Sequence, residues 1–304
     1  MLSKLCRWKG FVKGNRMTFL GKFHTASEVN RSLLCVGLDP EVEKLPRVLN
    51  TDPAPILRFN REIIEATSDL VCAYKMNFAF YVTEGVTGWR VLEETLNMIP
   101  SSIPTILDAK FGDIGNTSRM YAKTAFETLG VDAVTVNPYM GSDAVRPFLE
   151  YDGKCILFVC LTSNVGAADF QMSVLDGRPF YLRVAEKAVE WHQIGTCGLV
   201  VGATYPDCLR EIRLTAPDLP FLIPGIGTQG GDLEVVLRDG RGPSQAPVII
   251  NASRAVIYAS SDADFAEAAR RTAEELREKM ISIHHREHRE HREEERDINL
   301  YKNR

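Results

Sequence analysis

The sequence predicts an α/β protein with a single catalytic domain folded as a closed (β/α)₈ barrel, the TIM barrel. Eight short runs rich in apolar and β-branched residues recur along the chain, separated by stretches with helical spacing or helix-favouring composition. Nearly continuous apolar strands that alternate with helices are typical of a parallel sheet covered on both faces. The chain of 304 residues is long enough for one such barrel of about 250 residues.

The predicted strands, in chain order, are 33–38, 70–76, 103–109, 132–137, 154–160, 197–202, 220–225 and 247–252. The predicted helices are 55–67, 86–98, 116–129, 180–194, 205–215, 229–239 and 262–280. A doubly wound open sheet is the alternative architecture, but the Gly-x-Gly-x-x-Gly fingerprint of that class is absent after the first strand. Eight strand–helix units therefore favour the closed barrel.

Both ends of the chain are predicted to lie outside the barrel domain, which we place at 17–283. Residues 1–16 form a basic extension with five basic and no acidic residues, and they lack the apolar region of a secretory signal. Residues 284–304 form a charged, low-complexity tail with six basic and six acidic residues, for which we expect a solvated helical extension or disorder. The net charge of −4 therefore corresponds to −9 on the domain.

Composition excludes several classes of function. An acidic domain argues against a nucleic-acid or membrane partner, although it allows a local anion pocket. No apolar run reaches the ~20 residues of a membrane span. The seven cysteines include no C-x-x-C pair, and most lie in apolar runs, which predicts reduced core thiols in a cytoplasmic protein. Only His24 and His192 precede the tail, so we expect no metal site and no histidine-based triad.

Polar side chains follow nearly every predicted strand, where a barrel of this class carries its chemistry. In chain order they are Asp39, Lys75, Asn77, Asp108, Lys110, Asp113, Asn137, Thr162, Ser163, Asn164, Gln229 and Arg254. The set contains no histidine, and its acidic and basic members alternate along the chain. Chemistry at this face must therefore use aspartate, lysine, asparagine, glutamine and arginine.

Two acids and two amines are predicted to converge on one barrel mouth. Asp108 and Lys110 are two residues apart at a strand end, so regular strand geometry points both side chains to the same side. A structural ion pair would explain these two alone. Asp39 and Lys75 end the first and second strands, and desolvating all four charges often costs more than their Coulomb attraction returns. We therefore interpret the four residues as a preorganised electrostatic site.

A phosphate site is predicted after the last two strands. The segment "PGIGTQGGD" at 224–232 supplies glycines that let backbone N–H groups approach an anion, and a helix N-terminus follows. The segment "NASRA" at 251–255 brings Arg254 to the same corner, where a guanidinium suits a bidentate phosphate contact. A plain glycine turn is the alternative explanation.

The segment 163–177 is long for a βα loop and has no strong periodicity. Long loops on the active face are often lids, and a tolerated insertion is the alternative. Gln171 could reach a ligand from this loop, but spacing does not decide between it, Ser163 and Asn164.

Seven motifs within 17–280 together resemble the orotidine 5′-phosphate decarboxylase family, particularly its bacterial-type second subfamily. They are "LLCVGLDP" (33–40), "YKMNFAFY" (74–81), "DAKFGDIGNT" (108–117), "VTVNPYMG" (134–141), "LTSN" (161–164), "PGIGTQGGD" (224–232) and "NASRA" (251–255), in the family's order. The D-x-K-x-x-D core is shared with related sugar-phosphate enzymes, whereas the seven motifs together are specific.

The resemblance implies conversion of orotidine 5′-monophosphate to UMP and CO₂ in de novo pyrimidine biosynthesis, without metal or organic cofactor. Lys110 would protonate C6 of the pyrimidine as CO₂ leaves, with Asp108 beside the departing carboxylate. Lys75 and Asp113 would complete the catalytic array, and Asp39 would bind the ribose with Lys75.

The resemblance also implies a homodimer with shared active sites, because Asp113 and Thr117 would reach into the partner's site. Gln229 and Arg254 match the family's phosphate grip, and Ser163 or Asn164 would face the pyrimidine. Asn77 and Asn137 complete the predicted substrate-binding residues.

Three other functions are considered. Hexulose-phosphate synthases and ketogulonate-phosphate decarboxylases share D-x-K-x-x-D, but they bind Mg²⁺ and carry a glutamate where this chain has Lys75 and Asn77. A catalytically silent barrel should have lost a member of the array, and none is missing. A Schiff-base aldolase using Lys110 or Lys75 is disfavoured, because flanking carboxylates raise the pKa of a lysine.

Overall fold

A computed structural model of the chain describes residues 11–12, 16–225 and 232–302, with side chains over 17–225 and 232–283. Within these residues eight parallel strands form a closed barrel. Labelled β1 to β8 in chain order, they are Leu34–Gly37, Ala73–Asn77, Thr105–Phe111, Ala133–Val136, Cys155–Leu161, Cys197–Val201, Phe221–Pro224 and Val248–Ala252. Each strand pairs with its neighbour in the chain, and β8 pairs with β1. The predicted barrel is confirmed, and no strand boundary lies more than three residues from its predicted place.

The α-helices of the described residues surround the barrel. Labelled α1 to α12, they are Phe19–Asn30, Pro55–Thr67, Phe78–Val82, Gly85–Met98, Gly115–Lys123, Ser142–Leu149, Ala167–Phe170, Phe180–Trp191, Pro206–Thr215, Leu233–Arg241, Arg254–Ile257 and Phe265–Lys302. Short helical turns cover Val42–Lys44, Arg47–Leu49, Thr124–Thr128 and Pro138–Met140. Two small hairpins join Phe11–Val12 to Arg16–Met17 and Val174–Leu175 to Arg178–Pro179.

Helices α1, α3, α6, α7 and α11 are absent from the sequence prediction, and for the two longest of them, α1 and α6, there is a local reason. Helix α1 contains glycine, threonine and asparagine, which are weak helix formers. Its stability comes from packing, because Phe19, Leu20 and Phe23 lie buried against the inward side chains of the strands. Helix α6 carries Pro147 within its eight residues, a residue that disfavours a helix interior.

The barrel interior is apolar at one end and charged at the other. Small and branched side chains fill it, among them Cys35, Ala73, Ala133 and Ile249, and α1 packs against this cluster. The strands then carry their polar residues toward their C-terminal ends. Packing of this apolar cluster therefore fixes the strands, and with them the polar residues at their C-terminal ends.

Helix α12 continues without interruption through most of the predicted tail, to Lys302. No helix in the described part of the chain is both long enough and apolar enough to cross a membrane. The separate status of 1–16 stays a prediction, since most of that segment lies outside the described residues.

Candidate active site

The structure brings together four of the predicted residues where β1, β2 and β3 end. The Lys75 ammonium lies 3.5 Å from Asp39 Oδ2 and 3.5 Å from Asp108 Oδ2. The Lys110 ammonium lies 2.6 Å from Asp108 Oδ1. Side-chain exposure is 5% for Lys75 and 46% for Lys110, so one lysine is enclosed within the array and the other faces the open mouth.

Lys75 keeps its charge despite its burial. Burial by itself lowers the pKa of a lysine, but the Asp39 and Asp108 carboxylates outweigh that effect and raise the pKa of Lys75 above its ordinary value. The ammonium is therefore a fixed positive charge at working pH. A lysine held in this way is unsuited to Schiff-base chemistry, which needs a neutral amine.

Asp108 is held as a carboxylate by its neighbours. Burial tends to raise the pKa of Asp108, but the Lys75 and Lys110 ammonium groups, with hydrogen bonds from Lys110 and Thr135, lower it below its ordinary value. The Thr135 hydroxyl donates to Asp108 Oδ1 at 3.0 Å. Lysine and aspartate thus stabilise one another's charged forms across the barrel mouth.

The contact between Asp108 and Lys110 does not arise from the regular strand geometry used to predict it. The register of β3 against β4 shifts between Leu107 and Phe111, and Lys110 has a φ of 49°, in the left-handed region. Few non-glycine residues adopt that region. Asp108 and Lys110 therefore lie on the same side as predicted, but in an irregular stretch of β3 instead of a regularly alternating one.

Two tyrosines hold the backbone beside Asp39. The Tyr81 hydroxyl donates to the Leu38 carbonyl at 2.9 Å, and the Tyr258 hydroxyl to the Asp39 carbonyl at 3.4 Å. Asp39 Oδ1 also accepts the Asn77 backbone N–H at 2.9 Å. These contacts fix the Asp39 carboxylate against the end of β2.

The two predicted asparagines occupy equivalent places after β2 and β4. Asn77 Oδ1 accepts the Ala79 N–H at 3.2 Å at the start of α3. Asn137 Oδ1 accepts the Tyr139 N–H at 3.1 Å at the start of the Pro138–Met140 turn. Each amide oxygen thus caps a short helix, and contact with substrate stays a prediction for both residues.

Asp113 and Thr117 do not join the array within one chain. Asp113 Oδ1 accepts the N–H of Ile114 at 2.8 Å, and Thr117 is exposed in the first turns of α5. No ion pair connects Asp113 with Lys75 or Lys110 in the part of the chain that is described. A single subunit therefore forms the array from the ends of β1, β2 and β3, and its own Asp113 and Thr117 take no part in it.

The loop after β5 is tied to the strand end by Gln171. Its side-chain oxygen accepts the Thr162 N–H at 2.7 Å, and its amide donates to the Thr162 hydroxyl at 2.9 Å. Thr162 also donates to Asn164 Oδ1 at 2.6 Å, while Ser163 lies between them. Of the three candidates in this loop, Gln171 anchors the loop, and Asn164 is the more exposed.

The corner that is predicted to bind phosphate lies partly outside the described residues. Arg254 begins α11 immediately beyond β8 and is exposed, whereas Gln229 lies outside the described residues. Asp232 accepts the Glu234 N–H at 2.9 Å and caps α10. A Cβ at Gly37 would lie 1.8 Å from Ser253 Oγ, so only glycine allows β1 to approach the Arg254 turn this closely.

Fold and site together define a (β/α)₈-barrel enzyme whose charged machinery is a lysine–aspartate array, with an arginine at a neighbouring strand end. The comparisons with known proteins specify the family. A family model described as "Orotidine 5'-phosphate decarboxylase / HUMPS family" matches residues 32–271. The chain belongs to this family.

Individual relatives cover most of the chain. A protein from Herpetosiphon aurantiacus named orotidine 5'-phosphate decarboxylase is 52% identical over 258 residues, 84% of this chain and 95% of that protein. One of the same name from Ralstonia nicotianae is 47% identical over 268 residues, 87% and 98% of the two chains. The solved structure of Leishmania donovani OMP decarboxylase has a TM-score of 0.77 at 38% identity, covering 88% of this chain and 98% of that one.

Proposed function

We propose that this protein is an orotidine 5′-phosphate decarboxylase, a carboxy-lyase that converts orotidine 5′-monophosphate to UMP and CO₂ in pyrimidine biosynthesis. The observation that carries the proposal is the position of Lys75, buried and charged between Asp39 and Asp108. Relatives of the same name, which align over nearly their whole length, support it.

The reaction needs a positive charge and a proton at one carbon. Loss of CO₂ from C6 of the pyrimidine leaves an sp² carbanion with no π-system to delocalise it. An ammonium held beside that carbon stabilises the developing charge and then supplies the proton. Lys110 suits this role, because its ammonium faces the open mouth and is oriented by Asp108 at 2.6 Å.

The other charged residues take supporting roles in this proposal. Asp108 lies beside the departing carboxylate and orients the Lys110 ammonium through its Oδ1. Lys75 balances the two aspartates, so the array carries two positive and two negative charges before substrate binds. Asp39 and Lys75 bind the ribose.

Phosphate is bound at the far end of the substrate by Arg254 and Gln229. Binding energy gained there, away from the reacting carbon, can close the 163–177 loop and raise the rate. Ser163 or Asn164 faces the pyrimidine from that loop. Asn77 and Asn137 line the mouth between the two ends of the substrate.

A homodimer with shared active sites would account for the position of Asp113 and Thr117, which the family's motif assigns to the partner's site. Both lie where α5 begins, and Asp113 has no lysine partner in the described part of its own chain. Large apolar side chains are exposed in neighbouring parts of the chain, including Ile114, Met120 and Tyr139. A second copy of the chain would cover them and receive Asp113 in its array.

A cytoplasmic location agrees with the cysteines. The six within the described residues are free thiols, and Cys35, Cys72, Cys155, Cys160 and Cys197 are buried. Proteins of oxidising compartments commonly pair such residues.

The direct test is a UV assay of orotidine 5′-monophosphate loss on the purified chain, run with and without EDTA. We expect UMP and CO₂ in equal amounts at the same rate in both. A Mg²⁺-dependent sugar-phosphate enzyme would lose its activity in EDTA. We expect no such loss here, because the Lys75 ammonium at the centre of the array would repel a divalent cation. Turnover that stops with EDTA, or no turnover at all, would refute the proposal.

A further inference from the structure

One buried hydroxyl on β4 contacts both members of the Asp108–Lys110 pair. Thr135 is completely buried, and its Oγ1 accepts the backbone N–H of Lys110 at 2.9 Å. The same hydroxyl donates to Asp108 Oδ1 at 3.0 Å. Its single proton and one lone pair are thus both used within the array.

The first of these bonds holds Lys110 in an unfavourable backbone conformation. With a φ of 49°, Lys110 is in the left-handed region, which is strained for a residue other than glycine. Such a conformation persists only where surrounding contacts determine it. The register of β3 and β4 shifts around Lys110. In this irregular stretch the Lys110 N–H donates its hydrogen bond to the Thr135 hydroxyl on β4.

The second bond sets the orientation of the Asp108 carboxylate. Oδ1 accepts from the Lys110 ammonium at 2.6 Å and from Thr135 at 3.0 Å, while Oδ2 lies 3.5 Å from Lys75. A donor on one oxygen restricts rotation about the carboxylate's last torsion. Each oxygen is therefore assigned to one lysine.

We propose that Thr135 is a positioning residue for decarboxylation, which fixes the Lys110 ammonium by holding both its backbone N–H and its carboxylate partner. The proposal rests on the function proposed above, in which Lys110 supplies the proton. Thr135 does not touch the substrate in this account. It acts through two residues that do.

The test compares Thr135→Val, which keeps the shape of the side chain and removes the hydroxyl, with Thr135→Ser, which keeps the hydroxyl. For the valine variant we expect kcat to fall on the order of 10- to 100-fold, the effect of misplacing a catalytic group by a fraction of an ångström. The Kd for UMP should stay within about threefold of wild type, a difference under 1 kcal/mol. The serine variant should recover most of the lost kcat.

Thr67→Val is the matched control, because Thr67 is also completely buried. Its hydroxyl contacts the Ile63 carbonyl and the Tyr74 hydroxyl, both at 2.7 Å, outside the array. It should lose stability without the fall in kcat. Should Thr135→Val not fold, Thr135→Ala replaces it with the same expectation.

Three results would overturn the proposal: unchanged kcat in Thr135→Val, an equal loss in Thr135→Ser, or loss of UMP binding in step with kcat. Failure of the proposed function is separate, because it would appear as absence of turnover in the wild-type protein.

Discussion

The ammonium of Lys110 lies 2.6 Å from the carboxylate of Asp108 across an irregular stretch of β3, in which Lys110 takes a left-handed backbone conformation. A regular strand would point both side chains to one side, but it would not turn the lysine back onto its neighbour. The Lys110 ammonium therefore lies beside the Asp108 carboxylate at the mouth of the barrel.

The two lysines of the array should differ sharply in their contribution to stability. Lys75→Met leaves Asp39 and Asp108 buried without their shared counterion, which we expect to cost about 3–5 kcal/mol of unfolding free energy. Lys110→Met removes an ammonium that is 46% exposed, with an expected cost of at most ~1 kcal/mol. Urea unfolding of both variants measures the difference, and equal losses would contradict the burial argument.

Acid should abolish the stability that Asp108 contributes. The pKa of Asp108 is lowered in the folded protein from its ordinary value of 3.8, so its contribution is complete above that value and declines as the pH falls through the folded-state pKa. The stability gap between wild type and Asp108→Asn should therefore be constant at neutral pH and narrow below about pH 4. Urea titrations across that range measure it. If the difference in unfolding free energy instead widened on acidification, the pKa of Asp108 would not be lowered in the folded protein.

Mixing inactive subunits should restore activity if the active sites are shared. In a heterodimer of Lys110→Ala and Asp113→Ala chains, one site has both residues and the other has neither. Random reassortment should yield about a quarter of the wild-type activity, since half the dimers are mixed and each has one intact site. Each variant incubated with itself is the control. An absence of recovery after verified subunit exchange would argue that Asp113 acts within its own chain.

Arg254 should act through the phosphate of the substrate. We expect Arg254→Ala to reduce kcat/KM for orotidine 5′-monophosphate by about 10- to 100-fold, the loss of a charged hydrogen bond of 1.5–3 kcal/mol. Decarboxylation of orotidine, which lacks the phosphate, is the matched control and should change little. An equal loss of kcat/KM for both substrates would show that Arg254 does not act through the phosphate.

The sequence predicts most of the array because parallel strand ends converge at one edge of a barrel. Asp39, Lys75 and Asp108 each follow a recognisable apolar run, so their proximity follows from the fold class. Thr135 has a weaker signal, a single polar residue within the apolar run of β4, and it is absent from the residues predicted for the site. The left-handed Lys110 and the register shift depend on contacts between β3 and β4, which no local pattern records.

Helix α1 shows the same limit at the other end of the barrel. Its residues have weak helix propensity, and it forms because Phe19, Leu20 and Phe23 cover the apolar interior. The family's motif implies that Asp113 belongs to the array, but one subunit does not bring it to either lysine. In the proposed dimer its place depends on a second chain, which the pattern of a single sequence does not describe.

The Lys110→Ala variant tests most directly whether Lys110 donates the proton in decarboxylation. The variant should fold with near wild-type stability, because the lysine is half exposed, and it should still bind UMP. Its kcat for orotidine 5′-monophosphate should fall by at least about 10²-fold, the smallest contribution usual for general acid catalysis. Retention of wild-type turnover in a folded, UMP-binding Lys110→Ala protein would contradict the mechanism.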